Sequence, residues 1–223
     1  MCFTPFISGA LATIGFAGCA VQYKLKHKFI NYMHLLFYSG MELLQTVQHM
    51  HLQECTSTNK FLTKLAYIYI WLQPIVYNLY YLHTNYRNKK IFIYNLYVSC
   101  AIFLLAMDRL FWHMIHTQPP RADEISSGPI TCTLKGDSHI YWLFDLYTNH
   151  SLEPTYLLYM ILICAPAFWV DKFAHAIFLN SSFVSGLYFS YKFTNNYNEA
   201  LPTWCILSVP YLLVSYALKL LPN

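Results

Sequence analysis

Apolar positions along the chain gather into seven runs of helical length, near residues 3–22, 29–50, 62–83, 91–113, 152–170, 174–191 and 200–219. About 20 such residues suffice to cross the hydrocarbon core of a bilayer as an α-helix. The pattern therefore predicts an all-α, polytopic membrane protein: one helical domain over residues 1–223 with about seven transmembrane helices. A polar stretch between the fourth and fifth runs, about residues 114–150, is the one sizeable loop. Its first part carries Pro119, Pro120, Ser126, Ser127 and Gly128 and reads as irregular. Its second part, ITCTLKGDSHIYW, alternates about Lys135-Gly136-Asp137 and predicts a short hairpin.

The second run is interrupted by polar residues, and their spacing is ordered. At about 100° per residue, Asn31, His34, Tyr38, Glu42, Gln45 and His49 fall within an arc of roughly 80° on one helix. A stripe of this kind facing lipid is disfavoured, by about 2.5–3.5 kcal/mol for an ionised carboxylate alone. It is expected to face protein or water. The first run offers a matching surface, because Ser8, Ala12, Gly15 and Cys19 form a small-residue face at helical spacing that permits close helix approach. In the third run, Gln73-Pro74 predicts a kink whose freed carbonyl Gln73 could satisfy, with Asn78 one turn beyond.

Composition agrees with a membrane location. Hydrophobic residues make up 57% of the 223 residues and charged residues only 11%, against about 25% charged in soluble domains, so a soluble fold would lack the charge to cover its surface. The formal net charge of +4 calls for no nucleic acid; basic clusters beside membrane helices meet anionic headgroups, and the lipid bilayer is the expected partner. Lys24, Lys26, Lys28, Arg87, Lys89, Lys90, Lys172 and Lys219 fall on one side, Lys60, Lys64, Arg121, Lys135 and Lys192 on the other. The first set is the denser, which places the N-terminus outside, the C-terminus in the cytoplasm and the long loop outside. The first run lacks a preceding basic region and is expected to be a retained helix, not a cleaved signal.

On the outer side lie the sequon Asn149-His150-Ser151, a glycosylation candidate, and Cys2, Cys55 and Cys132. A Cys55–Cys132 bridge would tie the loop after the second helix to the long loop; pairings with Cys2 stay open. Cys19, Cys100, Cys164 and Cys205 lie in apolar runs and are expected to pack.

The candidate chemistry concentrates toward the outer leaflet. Glu42 lies roughly 20 Å along its helix; Asp108 and Arg109 end the fourth run, and His139, Trp142 and Asp145 belong to the loop. Glu42, His49, Asp108, His139 and Asp145 form a candidate acid/base or metal site, with Gln45, Gln73, Asn78, Arg109, Trp142 and Trp204 as further polar or interfacial neighbours. Asp108, Arg109 and His139 are the expected partners of Glu42. His113 and His116 could share a metal, but zinc wants three or four ligands and there is no HExxH or paired CxxC. No cofactor is specified, and metal binding is open. A retinal protein would need a lysine in the middle of its last helix, whereas Lys219 lies at the end; the paired histidines of ceramidase-like hydrolases are absent from the seventh run.

Three readings follow: a membrane enzyme acting on a small molecule or lipid by acid/base or metal chemistry, a proton-coupled solute or ion transporter lined by the stripe, or a non-catalytic scaffold or assembly factor.

The segments MCFTPFISGALA, YSGMELLQTVQH, NKFLTKLAYIYIWLQPIVYN, SHIYWLFDL and PTWCILS together resemble a family of small multi-pass membrane proteins of unknown function from bacteria and large DNA viruses. That family opens on Met-Cys-Trp-Ser, where this chain has Phe3 and Thr4 at the last two positions. The resemblance implies a membrane protein with matching residues at Cys2, Glu42, Gln45, Gln73, Asn78, His139, Trp142, Asp145, Trp204 and Cys205. It implies no activity.

Overall fold

The computed structural model describes residues 4–52, 55–84, 88–119, 124–148, 154–170, 181, 184–192, 194 and 196–220. Helices dominate them: α1 (Pro5–Lys24), α2 (Phe29–His49), α3 (Ser57–Thr84), α4 (Lys89–Met107, prolonged by a π turn over Asp108–Trp112), α5 (Tyr156–Cys164), α6 (residues 184–192) and α7 (Ala200–Leu220). Between α4 and α5 the expected hairpin forms, β1 (Cys132–Lys135) antiparallel to β2 (Ile140–Leu143), with Thr133 opposite Trp142. By length and apolarity, α1 and Lys89–Trp112 are long enough to cross a membrane. The fifth apolar run gives a shorter element: Pro166 lacks the N–H that would continue α5, and the chain tightens into a 3-10 turn over Ala165–Trp169. Residues 171–180 of the sixth run lie outside the described residues.

The helices alternate in direction. The C-terminal end of α2, the start of α3 and the start of α7 all meet the hairpin through Gln48, Asn59 and Glu199. The end of α4 and the residue before α5 meet at Arg109 and Pro154. At the other end, the Tyr216 hydroxyl of α7 donates to Asn31 O near the start of α2, and Asn88, just before α4, donates to Trp169 O beyond α5. α3 is the central element, packed on α2, α4, α5 and β1, and α2 lies against α1, α3 and α7.

The small-residue face of α1 is its buried face: Ser8, Ala12, Gly15 and Cys19, joined by Gln22. Gly15 is required there, because a methyl group on it would stand 2.0 Å from Ser39 Oγ and 3.3 Å from Val209 Cγ1. α3 continues as helix through Pro74, and Gln73 does not serve the freed backbone as expected. Gln73 turns instead to Cys205 and Tyr159, and one turn on Asn78 donates to Pro74 O at 2.7 Å, to Leu162 O and to Ser99 Oγ, while Asn95 donates to Asn78 Oδ1. Large apolar side chains point outward on the peripheral helices, among them Phe6, Leu104, Leu157 and Val184. The interior holds Glu42, Gln45, Gln48, Asn59, Gln73, Asn78 and Arg109, each nearly or wholly buried.

Candidate functional site

The polar stripe of α2 faces inward. His34, Tyr38, Glu42 and Gln45 are 0% exposed, while Asn31 and His49 at its ends are half-buried. Near the start of α2 His34 sits between the rings of Tyr77 and Tyr80, at 4.6 and 4.5 Å, and the Tyr38 hydroxyl donates to that of Tyr77 at 3.4 Å. Glu42 follows one turn later. Among the described residues neither of its carboxylate oxygens makes a well-aligned hydrogen bond; the Ser8 hydroxyl on α1 is its polar neighbour, close to the carboxylate but poorly aligned for a bond. Across from it, Cys205 on α7 is within electrostatic reach. The Gln73 amide donates to Cys205 Sγ at 3.8 Å and its carbonyl accepts from the Tyr159 hydroxyl. Trp204 packs edge-on between Tyr38 and Tyr159.

Toward the hairpin the stripe meets β1 and β2. His139 Nε2–H donates to Gln45 Oε1 at 2.8 Å, and the rings of His139 and His49 lie 5.5 Å apart. Burial pushes His139 down to about 3, and the neighbouring His49 adds to the shift; the ring is neutral near pH 7. Gln48 donates to Leu62 O and Thr133 Oγ1 and accepts from Trp142 Nε1 at 3.2 Å. Asn59 pairs with the backbone of Thr133 in both directions. The turn itself is gripped by Glu199, whose buried carboxylate accepts from the N–H groups of Asp137, Ser138 and His139 at 2.7, 3.1 and 2.9 Å and from Thr194 Oγ1. Gly136 makes room for it, since a methyl there would meet Glu199 Oε1 at 2.1 Å. The Cys55–Cys132 disulfide fastens β1 to the α2–α3 connection.

The acidic and basic groups at the end of α4 belong to separate arrangements. Asp108 accepts from the N–H groups of Met114, Ile115 and His116 and bonds His116 Nδ1 at 2.8 Å. Arg109 holds both oxygens of Glu124, at 2.9 and 2.6 Å, and donates to Tyr147 O and Pro154 O. Asp145 is half-buried, its N–H donating to Thr131 Oγ1.

Of the five titratable residues expected in one site, only His49 and His139 are thus seen ring against ring. Glu42 lies deeper on the same helix face, and Asp108 and Asp145 make their contacts elsewhere. The three residues expected to partner Glu42 are engaged with others: Asp108 with His116, Arg109 with Glu124, and His139 with Gln45. No three His, Cys, Asp or Glu side chains are grouped as metal ligands among the described residues, and His113 stacks on Tyr147 while His116 binds Asp108. Asn149 and Cys2 lie outside the described residues. Glu199 and Glu124 are polar partners the sequence does not single out, and His116, a metal candidate there, serves instead as the partner of Asp108. Each is paired across an irregular loop or a long stretch of chain, and no period marks such pairs.

Beside this core is a cavity of about 40 Å³ whose walls include Tyr67, Trp71, Tyr156 and Tyr159, with the Arg109–Glu124 pair and Ser126 along its rim. Tyr159 joins it to the Gln73–Cys205 contact.

Among known proteins, the chain is similar to uncharacterized protein R287 of Acanthamoeba polyphaga mimivirus, 27% identical over 184 residues that cover 78% of this chain and 76% of that protein. No solved structure matches. Residues 6–221, nearly the whole helical bundle and its hairpin, match one family model, and the chain belongs to the family of unknown function DUF5765.

Proposed function

We propose that this chain is an integral multi-pass membrane protein in which Glu42 is an acid/base centre, taking up and releasing a proton in chemistry on a small molecule or lipid. The reading rests on Glu42 itself: a carboxyl group 0% exposed, midway along a helix, with neither oxygen in a well-aligned hydrogen bond among the described residues and the Ser8 hydroxyl as its polar neighbour. Burying a polar group without a partner is costly, and a carboxylate serving only as structural glue would be expected to make bonds. From Glu42 the contacts run through Cys205 and Gln73 to Tyr159, which stands in the wall of the aromatic cavity. Apolar side chains outward on α1, α4, α5 and α6 support the membrane placement, because contiguous exposed apolar faces of this kind are rare on soluble monomers. Closely packed rings of His34, Tyr38, Tyr77 and Tyr80 occupy the inner half of the stripe, which favours a local site over a path through the bundle.

A scaffold role is the second reading, favoured by the internal satisfaction of Arg109–Glu124, Asp108–His116 and Glu199 with the hairpin turn. Proton counting separates the two. Potentiometric titration of the purified protein and of Glu42→Gln, which preserves shape, should differ by one proton over the range in which the folded protein is intact. Identical curves, together with a Glu42→Leu variant that changes only thermal stability, would assign Glu42 to structure.

A further inference from the structure

Ser126 is a non-glycine residue with φ 62°, a conformation that L side chains avoid and that persists only when the surroundings impose it. Here the backbone is held on both sides: Ser126 N–H donates to Asn198 Oδ1 at 2.6 Å, and Ser126 O accepts from Phe144 N–H at 2.8 Å. The residue is 3% exposed, yet its hydroxyl has no partner among the described residues. It lines the aromatic cavity. Tyr156, on the same wall, also has a buried hydroxyl without a partner among the described residues.

We infer that this cavity is a binding site for a primary ammonium group. A primary ammonium carries three N–H donors, and the cavity offers three acceptors: the Ser126 hydroxyl, the Tyr156 hydroxyl and the lone pairs that Glu124 does not spend on Arg109. The aromatic rings of Tyr67, Trp71 and Tyr159 in the wall suit a cation. An anion would meet the Glu124 carboxylate and an Arg109 guanidinium already committed to Glu124, Tyr147 O and Pro154 O. The volume of about 40 Å³ admits more than one water-sized group and suits an ammonium headgroup. The amine can belong to a free metabolite or to an aminophospholipid headgroup; the recognition chemistry is shared.

Calorimetric titration of the purified full-length protein with ethylammonium tests this. Saturable binding is expected, and tetramethylammonium and acetate, which lack the N–H donors or the charge, should bind at least tenfold more weakly. Ser126→Ala and Tyr156→Phe should each weaken ethylammonium by about tenfold, the effect of removing a hydrogen bond to a charged group. Ser126→Gly guards against a folding artefact: glycine accepts positive φ without strain, so this variant should melt at a higher temperature while losing the same affinity. Competition by nanodiscs of phosphatidylethanolamine but not of phosphatidylglycerol would identify the lipid headgroup as the source, and absence of competition a free amine. No saturable ethylammonium binding, equal binding of tetramethylammonium, or unchanged binding by Ser126→Gly and Tyr156→Phe would each overturn the inference.

Discussion

His139 reaches the α2 stripe because the carboxylate of Glu199 grips three N–H groups of its turn, leaving the imidazole to donate from Nε2 to Gln45. Burial pushes the folded group down to about 3 from its ordinary 6.5. The sign of the linkage follows: the unfolded chain binds a proton below pH 6.5 that the folded chain refuses, so the contribution of His139 is fully retained above that pH and lost as pH falls toward 3. Each pH unit in that window weighs about 1.4 kcal/mol against folding. His139→Gln, which keeps a donor for Gln45, should therefore show a flatter dependence of unfolding free energy on pH between 4.5 and 6.5 than the parent protein, roughly 1–3 kcal/mol across the window. Parallel profiles in denaturant titrations at several pH values would mean that the imidazole is not buried neutral. At this scale the sequence is only half legible. Periodicity puts Glu42, Gln45 and His49 on one face, but it does not reveal that Glu199, 60 residues from His139, is the group that orients the ring.

Among the elements, those carried by local spacing are the legible ones. The small face of α1 follows from residues three and four apart, and the hairpin follows from alternation about a glycine; both appear where the spacing puts them. The fifth run is less legible, because hydropathy does not register that Pro166 cannot extend a helix. That Gln73 turns to Cys205 and Tyr159 rather than to the backbone freed by Pro74 depends on which neighbouring helices its side chain faces. The hairpin is tied covalently to the helices by Cys55–Cys132, which closes a loop of 77 residues. In the chain-entropy account such a crosslink stabilises the fold by about 4 kcal/mol, and removing one typically costs about 2–5 kcal/mol. A Cys55→Ala/Cys132→Ala variant should lose stability in that range, and added reductant should then have no further effect on it. Equal stability of the variant and the unreduced parent in urea unfolding would show that the bridge carries no weight.

Across the whole molecule, amides, a carboxyl and an ion pair are buried together with an aliphatic and aromatic core, while phenylalanine, leucine and valine also stand on the outer faces. Composition and run lengths make this legible from the sequence, since 11% charged residues cannot cover the surface of seven helices with water-seeking groups. Which charged residues meet which is not legible, because those pairings are set only when all the helices come together. The central claim is that the outward apolar faces lie in lipid. Spin labels placed at Ile14, Val98, Leu104, Leu157 and Val214, all outward-facing, and at Lys135 in the exposed hairpin, can be read in nanodiscs by their collision rates with oxygen and with a water-soluble nickel chelate. The helix positions should collide with oxygen and be shielded from nickel, and Lys135 should show the opposite. Nickel access at the helix positions equal to that at Lys135 would contradict a membrane-embedded bundle and the function proposed for it.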